Sequence, residues 1–84
     1  QHFPEPMFDG EFEIIDWKIV GEKHVKMQLL PMDAEEALDA IVFNADMEKL
    51  EQADGYIRAA YKLDVNEFRN QRKVQLVIEY FEGL

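Results

Sequence analysis

The stretch from Ile57 to Glu79 constrains the fold of this chain more than any other. Ile57, Ala59, Tyr61, Leu63 and Val65 share one parity, and Arg58, Lys62, Asp64 and Asn66 share the other. A period of two marks a half-buried strand. The alternation resumes with Val74, Leu76 and Ile78 set against Gln75 and Glu79. Between the two runs lies Asn66–Lys73, which is polar, turn-forming and locally basic. The pattern predicts a β-hairpin whose tip carries Arg69, Arg72 and Lys73. In a chain of net charge −9, a basic hairpin tip is the leading candidate for a functional element.

Eighty-four residues make one domain. A chain this short buries only about 60–65% of its unfolded surface, so it needs an efficient core or a neighbour. A hydrophobic fraction of 48% supplies that core and excludes a disordered tail. There is no Cys, which rules out a disulfide, a thiolate zinc site and a thiol nucleophile. The longest apolar runs are far too short for a membrane-spanning helix, and no signal-peptide pattern is present. The chain begins at Gln1, not Met, and its first residues lack a structure-forming pattern. The expectation is a fragment of a longer protein, with residues 1–10 an extended lead-in or linker and residues 11–84 the folded domain.

Net charge −9 argues against a generic nucleic-acid binder, which is usually basic. The distribution weakens that objection. Lys18, Lys23 and Lys26 stand against Glu22 alone, and Arg69, Arg72 and Lys73 stand against Glu67 alone. Screening over roughly 8–10 Å lets a ligand at either patch feel little of the distant acidic surface.

Taken in order, the chain reads as strands with one helix. Phe3-Pro4-Glu5-Pro6-Met7-Phe8 cannot be regular structure, because each proline lacks a donor and biases its predecessor to extended geometry; Phe3 and Phe8 are expected to dock on a neighbouring surface. Glu11 to Val20 is the first strand. Phe12 and Ile14 share a face, then the phase slips to Ile15, Trp17 and Ile19. A one-residue slip predicts a β-bulge, which bends the strand. Trp17 falls on the apolar parity and is read as core. Gly21-Glu22-Lys23 is a tight connection. His24 to Leu30 is the second strand, with Val25, Met27 and Leu29 inward and His24, Lys26 and Gln28 outward. Leu38 to Phe43 is the third, with an ambiguous facing. Asn44 to Gly55 is the helix: Asp46 is its expected N-cap, Met47, Leu50 and Ala53 form its apolar stripe, and Gly55 is its expected stop.

Five strands with a helix between the third and fourth is the arrangement of an OB-fold, an all-β Greek-key barrel. That fold builds its ligand face from strands 2 and 3 and from the loops joining strands 1–2 and 4–5. Those loops are Gly21–Lys23 and Asn66–Lys73. Both basic patches therefore fall where the fold would use them.

The residues also carry a resemblance. Phe3-Pro4-Glu5-Pro6 with Phe8-Asp9-Gly10-Glu11-Phe12, then Val20-Gly21-Glu22-Lys23-His24-Val25-Lys26, Leu38-Asp39-Ala40-Ile41, and Tyr61-Lys62-Leu63-Asp64-Val65-Asn66-Glu67-Phe68-Arg69 with Gln75-Leu76 resemble the OB domain of RecJ-type single-stranded-DNA-specific exonucleases. The match runs in order over nearly the whole chain. The resemblance implies a bacterial cytoplasmic repair and recombination enzyme that degrades single strands from the 5′ end. Its metal-dependent chemistry, with Mg or Mn, would sit in a preceding DHH catalytic core. The domain here would hold the strand and guide it to that core. Lys23, His24, Lys26, Arg69 and Arg72 match polar positions of the family pattern. Asn70 departs from it, standing where the family usually has Gly; Asn tolerates the left-handed backbone such a turn needs.

The residues carry no catalytic constellation. His2 and His24 lie far apart with no ligand spacing around them. Asp64-Val65-Asn66 opens like a calcium loop and then fails, with Arg69 where the glycine belongs. Glu11 and Glu13 share a strand face and read as a solvated edge. The fragment is read as non-catalytic and free of cofactors. Holding a single strand needs cations for the backbone and flat side chains for the bases. The cations are Lys23, Lys26, Arg69, Arg72 and Lys73, and His24 and Gln28 add hydrogen-bonding groups. Phe68, Tyr56 and Tyr61 are the stacking candidates, with Tyr61 inward by alternation. The expected partners are single-stranded DNA and the catalytic core of the same polypeptide, with the fragment itself monomeric. The competing expectation is a structural or protein-interaction OB barrel that docks through its acidic surface.

Overall fold

The computed structural model describes residues 6–84; the expectations for His2 and Phe3 lie outside them. The elements are β1 (Phe8–Val20), β2 (His24–Pro31), β3 (Leu38–Val42), α1 (Met47–Gln52), β4 (Tyr56–Phe68) and β5 (Gln71–Gly83). The strands close into a barrel in the order β1-β2-β3-β5-β4. The β3–β5 pair is parallel and the others are antiparallel. This is the expected five-stranded OB barrel, with its helix between β3 and β4.

Two bulges let alternating strands serve this barrel. In β1 the register shifts between Ile14 and Asp16, at the predicted phase slip. Ile15 is the extra residue. Phe12 and Ile14 face inward before it, Trp17 and Ile19 after it. In the β4–β5 ladder Ala60 pairs with Tyr80 but Tyr61 pairs with Ile78. Glu79 is therefore the unmatched residue, and it brings Ile78 and Phe81 onto one face despite their odd spacing. The inward set buries Phe12, Val25, Met27, Leu29, Ala40, Val42, Ile57, Ala59, Leu76, Ile78 and Phe81. Each fully buried aliphatic side chain, such as Leu29 or Ile57, contributes about 1.5–3 kcal/mol.

The helix is shorter than expected, six residues from Met47. Asp46 caps it as predicted: its side chain accepts from the backbone N–H of Glu48 at 3.0 Å and of Lys49 at 3.4 Å. Leu50 is buried in the core, and Met47 and Ala53 pack against it. Gly55 does not stop the helix, which ends at an extended Ala53. Its positive φ of 85° serves the turn into β4, where its carbonyl accepts from the Ile14 N–H at 2.8 Å.

Strand boundaries also differ from expectation. β1 begins at Phe8, because Phe8, Asp9 and Gly10 pair with Tyr61, Ala60 and Ala59. β3 ends at Val42, leaving Phe43 exposed. The hairpin has no eight-residue loop. Its strands run on to Phe68 and Gln71, and the connection is Arg69-Asn70 alone. Both residues have positive φ, 51° and 65°, the signature of the type I′ turn that matches strand twist.

Candidate nucleic-acid interface

The hairpin outruns its neighbours. β1 pairs with β4 only as far as Tyr61, and β3 pairs with β5 only from Gln75 onward. Residues 65–74 therefore pair only with each other and form a two-stranded arm. Leu63, Val65 and Val74 keep the inward parity, yet they are exposed because no strand crosses in front of them. Trp17 is 40% exposed for the same reason. The expectation that it is core is corrected: it shares the face of Met27, its cross-strand partner, but stands where β1 has left β4.

Between the arm and the outer face of β1, β2 and β3 lies an open groove of about 530 Å³. Its polar lining is Lys18, Lys26, Gln28, Asn66, Lys73 and Gln75, with the carboxylates Asp16 and Asp39. Trp17 also borders it. Three lysines thus outnumber two carboxylates here, in a chain that is strongly acidic as a whole.

The predicted site residues do not all stand in this groove. Lys26, Gln28 and Lys73 line it. Lys23 sits in the β1–β2 turn and Arg69 in the β4–β5 turn, beyond its two ends. Phe68 is 70% exposed at the arm tip, with the Arg69 guanidinium 5.2 Å from its ring centroid. Arg72 is ion-paired to its cross-strand partner Glu67 at 3.1 Å. Gln28 donates from its side-chain amide to Asp39 Oδ1. His24 does structural work. Its Nδ1 accepts from the Asn44 backbone N–H at 3.1 Å, and its ring meets Phe43 edge-on at 5.2 Å. This pins the left-handed turn at Asn44, where φ is 53°. Tyr61 packs between Phe8 and Phe12, with centroids 5.8 and 5.6 Å away. Tyr56 lies at the far end of β4 from the tip.

Five polar groove residues stood outside the expected site: Asp16, Lys18, Asp39, Asn66 and Gln75. The available signal was the outward parity of Lys18, which the β1–β2 register sets directly opposite Lys26.

The other cations are engaged elsewhere. Arg58 pairs with Glu11 at 2.8 Å and Lys62 with Glu79 at 3.2 Å. Lys49 sits 4.0 Å from the centre of the Tyr80 ring and donates to the Phe81 carbonyl at 3.3 Å. Among the described residues, the cations without an ion-pair partner are Lys18, Lys23, Lys26, Lys49, Arg69 and Lys73. All but Lys49 lie in the groove or in the two turns beyond it.

The fold agrees with comparisons to known proteins. The family model described as the RecJ OB domain matches residues 1–80. A "Single-stranded-DNA-specific exonuclease RecJ" from Dickeya dadantii is 48% identical over 95% of this chain and 14% of its own length. Proteins of the same name from Haemophilus influenzae and Escherichia coli are 45% and 43% identical, over 100% and 94% of this chain and 15% and 14% of their own lengths. The chain thus spans about one-seventh of these relatives. No solved structure matches. A family match over nearly the whole chain and a closed five-stranded barrel point the same way: the chain belongs to the RecJ OB domain family.

Proposed function

We propose that this domain holds single-stranded DNA in the groove between the β4–β5 arm and β2, within a bacterial cytoplasmic RecJ-type exonuclease acting 5′ to 3′ in repair and recombination. The observation that carries this reading is the distribution of cations: five of the six that lack a carboxylate partner gather in the groove or the two turns beyond it. Lys18, Lys26 and Lys73 would meet phosphates along the groove, with Lys23 and Arg69 extending the track at its ends. Phe68 at the arm tip offers a flat face to unstacked bases. The domain adds strand affinity beside a catalytic core in the same polypeptide, where its effective concentration is high. Catalytic Mg or Mn would be held by that core. The domain itself acts as a monomer.

The rival reading is a protein-docking barrel. The exposed Ile15, Ile19, Leu63 and Val65 favour it, as does the acidic surface outside the groove. One titration separates the two readings. Fluorescence anisotropy of a labelled single-stranded oligonucleotide, titrated with this chain across salt concentrations, should show binding that weakens with salt. Five phosphate contacts would give a log–log slope of about −3.5. Lys26→Glu/Arg69→Glu should abolish binding while circular dichroism stays unchanged. A folded domain that binds no oligonucleotide at low salt would leave the docking reading in place.

A further inference from the structure

A row of polar residues that phosphate binding does not use crosses the groove. Asp16 of β1 pairs with Gln28 of β2, Gln28 with Asp39 of β3, Asp39 with Gln75 of β5, and Gln75 with Asp64 of β4. Directly paired residues point to the same face of a sheet. The five side chains therefore form one row across the outer face, alternating carboxylate and amide. Neighbouring strands lie about 4.8 Å apart, so the row from Asp16 to Gln75 spans roughly 14 Å. Lysines flank it on both sides. Lys18 and Lys26 stand two residues along β1 and β2, and Lys73 stands two residues back along β5.

Cations on the flanks with a polar row between them suit a strand whose phosphates run along the lysines and whose base edges lie over the row. Asp16, Asp64 and Gln75 make no side-chain hydrogen bond or ion pair among the described residues. Asp39 uses one oxygen toward Gln28 and keeps the other. A carboxylate only accepts, while a glutamine amide both donates and accepts. Cytosine presents an N4 amino donor beside ring acceptors, whereas thymine presents carbonyl acceptors on either side of one N–H. A carboxylate facing a carbonyl leaves both unpaired.

We propose that the Asp16–Gln28–Asp39–Gln75 row reads base edges, favouring bases with an exocyclic amino group and disfavouring thymine. The inference rests on the single-strand reading above and adds a preference to it. Lysines alone would hold every sequence equally.

The test is anisotropy of this chain with labelled oligo-dC and oligo-dT of equal length at one low salt concentration. Oligo-dC should bind at least about fivefold more tightly, the lower end for one base-edge contact. Asp39→Asn should bring the ratio toward one, chiefly by tightening oligo-dT, since the new amide can donate to a carbonyl. Simple loss of a negative charge would instead tighten both oligomers alike. Asp16→Asn is the second variant, should Asp39→Asn disturb the fold by circular dichroism. Equal binding of both oligomers by the unaltered domain overturns the base-reading row and leaves single-strand binding standing. A dC preference that survives both variants also overturns it. Binding of neither oligomer removes the inference together with the proposed function.

Discussion

Lys18 of β1 and Lys26 of β2 stand directly opposite each other on the outer face of the barrel, and neither has an ion-pair partner among the described residues. Like charges facing each other across a ladder cost roughly 0.2–1 kcal/mol. Lys18→Gln should therefore stabilise the isolated domain by about that amount in urea unfolding, while weakening single-stranded DNA binding and flattening its salt slope by about 0.7. Stability that rises with unchanged DNA affinity would detach the pair from ligand binding.

Trp17 is the only tryptophan and borders the groove. Its emission should change on titration with an unlabelled oligonucleotide and return when salt is raised. Trp17→Ala should cost far less stability than Leu50→Ala, which empties a buried site and should cost about 2–5 kcal/mol. Equal losses for the two variants would return Trp17 to the core.

Glu67 occupies Arg72 through an exposed ion pair, and such pairs add at most about 1 kcal/mol. Glu67→Gln frees the guanidinium near the arm tip. The expected result is tighter single-strand binding with a slope steeper by about 0.7 and little change in melting temperature. An unchanged slope would place Arg72 outside the strand's path.

Arg69 and Asn70 both hold left-handed backbone at the arm tip, a conformation that costs an ordinary side chain about 1 kcal/mol and asparagine less. Arg69→Gly should stabilise the hairpin while lowering DNA affinity; Asn70→Gly should stabilise it slightly and leave affinity alone. Hydrogen exchange of the arm amides, read beside anisotropy, separates the two effects. Equal affinity for both variants would remove Arg69 from the binding track.

Much of the architecture was legible in the chain. The alternation around Leu63 and Val74 named the hairpin, the slip from Ile14 to Trp17 named the bulge, and Asp46 named the start of the helix. These are local signals, readable within a few residues because backbone geometry sets the period of two and the capping distance. The strand count and the position of the helix then named the barrel, and with it the two turns that carry Lys23 and Arg69.

Parity could not say which inward-facing residues a neighbouring strand would cover. Trp17, Leu63, Val65 and Val74 have the alternation of core residues and lie exposed, because the β1–β4 ladder stops at Tyr61. Nor could it show that His24 is used by Asn44 or Arg72 by Glu67. The Asp16–Gln28–Asp39–Gln75–Asp64 row draws one residue from each of five strands, and it exists only once four ladders have chosen their registers. The sequence by itself determined the strands, the bulge and the basic turns. The tertiary structure decided exposure, charge pairing and the groove, because these depend on contacts between residues far apart in the chain.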